Sequence, residues 1–314
     1  MTDISKTTSG RSGGRAQRLK KRAAKPDINP CPPGQFGGMY KPLSQPDLEN
    51  IFDTALRLLS ELGMGEIPNR LRQDLLTAGA QDSEAGRVVF PRSLTEDAIA
   101  KAAKTFVLHG RDETRSIEVG GSKVYFGTGG AAVQTLDLDS GTYRPSTLAD
   151  LHNFTRLQDT LANVSWYTRC CVATDVPSNF DLDVNTAYAL LLNTTKPTAT
   201  SFTLAEYVAP IVKMLDIAAG GKGAFSKRPF MKAHISPVIS PMRYGEDAVD
   251  VVYECIKHNI PMSCITAAQA GATAPATMAG FLAQSLAETL ASLIMIHAIK
   301  PGYPMVISNS IVQT

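Results

Sequence analysis

Apolar, strand-like runs recur along the second half of this chain near Val164, Thr198, Met231 and Met262, at spacings of 34, 33 and 31 residues. That interval is one strand, one helix and two short connections, the βα unit. Further runs near Val124 and Met305 extend the series to six. Helical periodicity fills the gaps, over 147–160, 182–192, 204–219, 246–258 and 277–299. Strands alternating with helices predict an α/β fold with a parallel sheet, since parallel neighbours need a long crossover between them. Gly127-Thr128-Gly129-Gly130 lacks the spacing of a dinucleotide loop. A (β/α) barrel is therefore expected rather than an open doubly wound sheet. A complete barrel has eight strands. With six in view, the expectation is an incomplete barrel, truncated at the C-terminus and open beside 305–307.

Ahead of this series the pattern differs. Residues 1–25 carry Lys6, Arg11, Arg15, Arg18, Lys20, Lys21, Arg22 and Lys25 against Asp3 alone, a charge of +7 that leaves the remainder at −5. The segment has too few apolar groups to fold by itself. No aromatic residue precedes Phe36, so a solvated or partner-contacting tail is expected, not a nucleic-acid arm. Residues 1–37 thus read as a basic tail and Pro/Gly linker, 38–119 as a helical and hairpin segment, and 120–314 as the barrel. Within 38–119, Leu48, Ile51, Phe52, Ala55, Leu58, Leu59 and Leu62 have helical spacing and stop at Gly63. A second helix covers 68–78, and a strand (87–90) and a helix (94–105) follow. Residues 116–119 and 123–126 flank Gly120-Gly121, a hairpin signal, and Asp139-Ser140-Gly141 marks a second turn.

The most apolar helix, 277–299, carries Gln284, Glu288 and His297, which favours a buried helix over a membrane span. Cys31, Cys170, Cys171, Cys255 and Cys264 form no CxxC pair, so a reducing, cytoplasmic compartment is expected. His109, His152, His234, His258 and His297 show no zinc spacing, and no metal site is expected. His234 stands out because it alternates with Lys232 and Ser236 on one strand face, which suggests a wet lumen. Arg169 marks either a site or a barrel-end ion pair. A strand is expected over 164–173, so of Cys170 and Cys171 only one can face a lumen.

Strand-end loops are rich in small and hydroxyl residues, as a barrel's active-site end requires. Gly127, Thr128 and Gly129 follow the first strand, and Gln269, Gly271 and Thr273 follow the fifth. Pro275 is expected in the first turn of the next helix, whose free N–H groups would attract an anion. The candidate substrate-binding residues are Gly127, Thr128, Gly129, Tyr167, His234, Gln269, Gly271 and Thr273. No catalytic residue is identified.

The Gly-Arg tail at 10–18, Gly127-Thr128-Gly129-Gly130, Asp139-Ser140-Gly141-Thr142-Tyr143-Arg144-Pro145 leading to Asp150-Leu151, Ser240-Pro241-Met242-Arg243-Tyr244, the 271–280 stretch and Pro301-Gly302-Tyr303-Pro304 together resemble the trimethylamine / glycine betaine:corrinoid methyltransferases of the MttB type. The resemblance implies a TIM-type barrel that moves a methyl group from a methylated amine, trimethylamine or a quaternary amine such as glycine betaine, to Co(I) of a corrinoid. Asp150-Leu151-His152 begins a cobalamin-binding Asp-x-His-x-x-Gly, but Thr155 stands where the glycine is needed. The corrinoid is therefore expected on a cognate partner protein, with none held tightly here. A homo-oligomer is expected, with no nucleic-acid or membrane partner. A quaternary ammonium is an activated methyl donor and needs no general base. Aromatic faces hold such cations, and Tyr125, Phe126, Trp166, Tyr167 and Phe202 lie near strands. Alternation admits one of each adjacent pair. A methylated-amine-binding barrel without turnover and a barrel lyase stay open, as does tertiary against quaternary amine.

Overall fold

Ser44 sets the first helix. Its hydroxyl accepts from the Asp47 N–H while the Asp47 carboxylate accepts from the Ser44 N–H, so two orphan donors are satisfied together. In the computed structural model, which describes residues 31–309 with Gly14, Leu19, Asn29, Val312 and Gln313, this helix is α1 (Gln45–Arg57). It widens into one π turn, Leu58–Leu62, and stops at Gly63 with φ +69°. A Cβ on Gly63 would come within 2.2 Å of the Val88 carbonyl oxygen, so only glycine fits. Helices α2 (Asn69–Thr77) and α3 (Arg92–Lys101) follow. The chain divides into Met1–Pro32 and Pro33–Thr314. The expected basic tail falls almost wholly outside the described residues.

The hairpin expected around Gly120-Gly121 is not formed. Ile117–Gly120 pairs antiparallel with Thr105–Leu108 instead, and Lys123–Val124 pairs with Gln35–Phe36. The run at 105–108, where only Thr105 is expected at a helix end, competes as a strand. Gly120 at φ +141° lets its backbone approach Lys104, where a Cβ would lie 2.4 Å from the carbonyl oxygen. The parallel series accordingly starts at Phe126, not at Val124. The turn expected at Asp139-Ser140-Gly141 joins the antiparallel strands Gln134–Leu136 and Tyr143–Pro145.

Six parallel strands follow: β1 (Phe126–Gly127), β2 (Val164–Thr168), β3 (Thr198–Thr200), β4 (Met231–Ile235), β5 (Met262–Thr266) and β6 (Met305–Asn309). Between them run α4 (Leu148–Thr160), α5 (Asn179–Asn193), α6 (Val208–Ala218), α7 (Glu246–Lys257) and α8 (Met278–Ile299). Strand order across the sheet is the chain order, and every pair is parallel. A doubly wound sheet reverses its order at a switch point. Without a reversal, right-handed crossovers place all helices on one face, and the sheet curls away from them. The result is a six-stranded half-barrel.

The pleat then sorts the side chains. Tyr167, Met231, Ala233, Ile235, Met262 and Cys264 share one buried cluster with the helix residues Leu190, Ile211, Val252 and Ile294. Helix α8 is the keel of this cluster, since Leu59, Leu71, Leu75 and Ala98 from the N-terminal segment pack into it too. Its most apolar 18-residue window has length and composition enough to cross a membrane, yet 72% of that window is buried inside the fold. Contrary to expectation, the helix starts at Met278, past Pro275, because the preceding residues close a turn of their own. On β6, Ile307 is 40% exposed.

Glu288 of α8 is wholly buried. Its carboxylate accepts from Ser240 Oγ (2.5 Å), the Met242 N–H (3.0 Å) and Gln284 Nε2 (3.0 Å). Replacing it by leucine leaves three donors without their acceptor and buries no charge in its place, which should cost on the order of 2–5 kcal/mol. The expected outcome is a Glu288→Leu protein with a clearly lowered Tm by circular dichroism, against no measurable change for Glu61→Ala on the exposed face of the N-terminal segment. Equal melting of the two variants would show that the buried carboxylate does not hold the loops.

Candidate active site

The sheet's other face carries polar side chains. Strand alternation puts Trp166 and Thr168 of β2, Lys232 and His234 of β4, and Ser263 of β5 opposite the helix-facing cluster. Register aligns Thr168, Ala199 and Lys232 in one row, and His234 with Ser263 in the next. Trp166 lies flat against Gly127, where a Cβ would reach 2.1 Å from ring atom Cε2. Glycine is required there by close approach and not by backbone angle. Across the ring, the Lys232 Nζ sits 4.5 Å from its centroid. Thr128 fastens β1 to β2, its Oγ1 donating to the Thr168 carbonyl (2.6 Å) and accepting from the Thr168 N–H (2.9 Å).

Lys232 is buried at 4% exposure. Burial pushes its ammonium down from the ordinary 10.5 to about 8, with only the Cys264 sulfur opposing. Burial, followed by the charges of Lys232 and Arg169, lowers the His234 imidazole from 6.5 to about 4. His234 is therefore neutral at pH 7 and offers one donor and one acceptor. Arg169, just past the end of β2, is likewise lowered by burial, with Asp183 opposing. The Asp183 carboxylate is occupied by Thr203, through its N–H (2.5 Å) and Oγ1 (3.0 Å), and burial raises its proton affinity.

The candidates named from sequence separate into three places. Gly127, Thr128 and His234 gather with Trp166 on the concave face, and exposed Gly129 lies beside them in the loop after β1. Tyr167 is turned to the helices at 1% exposure, its hydroxyl 3.1 Å from Cys170 Sγ. Of the adjacent pair, alternation thus presents Trp166. Phe202 is buried in the helix-side core, and Phe126 is 57% exposed. Gln269, Gly271 and Thr273 form the loop after β5. There Gly271 at φ +82° closes a turn in which the Ala272, Thr273 and Ala274 N–H groups all donate to the Gln269 carbonyl. Those N–H groups are consumed by the loop itself. Gln284 Nε2 ties the loop to α8 through the Thr273 carbonyl (2.8 Å).

Sequence reasoning left Trp166, Lys232 and Arg169 off its candidate list. The signal was present in Lys232, a cation inside an apolar strand. For Arg169 and the cysteines the alternation rule lapses, because β2 ends at Thr168. Cys171 packs with Leu151 and Ala189 among the helices. Asp150 and His152, the start of a cobalamin-type motif, are both committed to the fold. Arg144 clasps Asp150 at 2.6 and 2.8 Å, holding its carboxyl well below the usual carboxylate range, and Thr147 donates to it as the cap of α4. His152 Nδ1 meets Asn193 at 2.7 Å. These residues do not fit a resident corrinoid. A cavity of about 540 Å³ opens at the opposite, N-terminal ends of β2 and β3, between Tyr125, Ser165 and Lys196. Its cations are already satisfied, Lys196 by the Gln158 and Leu161 carbonyls and Arg115 by Asp159.

Burial of Lys232 has a pH signature. The unfolded chain holds this proton up to about 10.5, the folded chain only to about 8. Stability therefore rises with pH between those values, and below pH 8 the full penalty applies, on the order of 3 kcal/mol. Lys232→Met should melt higher than the parent at pH 7 and lose the upward slope between pH 8 and 10. Parallel stability curves for the two proteins would contradict a buried ammonium.

The family model for trimethylamine methyltransferase (MTTB) matches residues 11–313. The trimethylamine methyltransferase MttB of Desulfitobacterium hafniense strain DSM 10664 / DCB-2 is 27% identical over 85% of this chain and 54% of its own length. The glycine betaine methyltransferase of D. hafniense strain Y51 is 25% identical over 88% and 57%. The L-carnitine:corrinoid methyltransferase of Eubacterium limosum is 25% identical over 84% and 55%. The chain spans about half the length of these relatives. In fold it is similar to the crystal structure of the hydroxylamine MtmB complex, at a TM-score of 0.50 and 13% identity over 85% of this chain and 60% of that one. With a match that runs over nearly the whole chain, through the loops that build the concave face, the chain belongs to the trimethylamine methyltransferase family.

Proposed function

We propose that this chain forms the substrate-facing wall of an amine:corrinoid methyltransferase, which moves a methyl group from a methylated amine to the Co(I) centre of a corrinoid on a separate protein. The observation that carries the reading is the polar concave face around Trp166, Lys232 and His234, set in a fold whose other face is apolar core. Family membership and the named relatives support methyl transfer as its chemistry. The commitment of Asp150 and His152 to structural bonds supports an acceptor brought by a partner.

The reaction asks little acid–base work of the protein. With a quaternary or protonated donor, the C–N bond breaks with its electron pair going to the nitrogen, which leaves as a neutral amine, and the partner's Co(I) would supply the pair that bonds the methyl carbon. The wall must hold the donor in line and keep water away, and positioning alone supplies much of such a barrier reduction. A neutral His234 in this face suits a leaving amine, because it neither alkylates as a thiolate would nor adds a further positive charge.

The test mixes the purified protein with a candidate corrinoid protein reduced to Co(I) and a methylated amine. Loss of the Co(I) absorbance, dependent on both protein and amine, is the expected outcome. Binding of the amine by calorimetry with a persistent Co(I) spectrum would establish a binding protein without turnover in its place.

A further inference from the structure

The concave face holds donors with nothing to accept from them. Among the described residues Lys232 has neither a carboxylate nor a hydrogen-bond acceptor, and its charge rests only on the Trp166 ring. Arg169 has Nε and Nη1 buried without partners, and His234 Nδ1 and Thr168 Oγ1 are buried and unpartnered as well. The one nearby acid, Asp183, is spent on Thr203. Buried cations are normally paired, and orphaned buried donors normally have a partner that completes them. An anion with two acceptor oxygens would complete such a set of donors.

A trimethylammonium group alone fits this surface poorly. The Trp166 ring already carries Lys232 over its face and Gly127 against it. Two cations a few ångströms from a third repel it by several kcal/mol even at the effective dielectric of a protein. A donor that bears a carboxylate reverses the sign of the encounter.

We propose that Arg169, Lys232 and His234 form a carboxylate subsite, so that the methyl donor is a zwitterionic quaternary amine and not a simple amine. This rests on the methyl-transfer reading for the nature of the donor, though the anion site itself does not. Arg169 supplies the two free N–H donors of its planar fork, Lys232 the point charge below, and His234 the donor that fixes the second oxygen's direction. The ammonium end then projects away from the cations toward the open side of the half-barrel, where a partner's corrinoid can approach.

Trp166 is the only tryptophan in the chain, so its emission reports directly on Lys232. The experiment titrates the protein, and its Lys232→Met and Arg169→Gln variants, with acetate, glycine betaine, choline and trimethylamine at matched ionic strength set with chloride. Lys232→Met removes a buried charge without loss of volume, and circular dichroism confirms its fold. The expected result is that acetate and glycine betaine shift the emission, betaine binding the more tightly, and that each substitution weakens both roughly tenfold or more. Choline shares betaine's trimethylammonium group but has a hydroxyl for its carboxylate. It and trimethylamine should bind weakly and respond little to either substitution. Choline or trimethylamine binding as tightly as betaine, or a betaine affinity unchanged in both variants, would overturn the subsite. Acetate bound as tightly as betaine, with both lost in the variants, would keep the anion site and overturn the methylated-amine donor.

Discussion

The carboxylate of Glu288 organises the strand-end loops of the fold from inside α8, the longest helix among the described residues. It fixes Ser240 and the Met242 N–H of the loop after β4, and through Gln284 it reaches the Thr273 carbonyl of the loop after β5. Met242 is held at φ +50° in that loop, and Arg87 from the N-terminal segment donates to its carbonyl at 2.8 Å. A buried carboxylate with three donors is stable only as a complete set. The N-terminal segment, the keel helix and two strand-end loops are thereby tied together.

Sequential strand order does the complementary work on the sheet. All helices fall on one side, so one face of every strand enters dry core and the other is free for polar groups. That division explains how Lys232 and His234 can occupy a strand whose alternate residues, Met231, Ala233 and Ile235, are core. It also fixes the choice within the pair Trp166 and Tyr167, since Tyr167 contacts the helices and its neighbour in the strand faces the other way.

The segments that resemble the family have physical roles here. Arg144, within the run that leads to Asp150, bridges Asp137 and Asp150 and so ties a β hairpin to the start of α4. Gly127 admits the Trp166 ring, and Thr128 closes the gap between β1 and β2. The loop at Gln269, Gly271 and Thr273 satisfies its own backbone, which makes it a rigid rim and not an anion hole.

By itself the sequence determined the βα series, its parallel direction, the helix stop at Gly63, and the burial of α8. These follow from local rules of periodicity, capping and glycine geometry, which need no knowledge of distant neighbours. It also placed His234 on a polar strand face. The pairing of short strands was decided only in three dimensions. The runs at 105–108 and 117–120 found each other because strand partners are chosen by competition among all available edges, not by the nearest turn. The same holds for the cationic site. Lys232 of β4 belongs to a different strand unit from Trp166 of β2 and Arg169 just past its end, and their meeting depends on the curl and register of the sheet. Where β2 ended at Thr168, the period-two rule ended with it, and the directions of Arg169, Cys170 and Cys171 became a matter of packing alone.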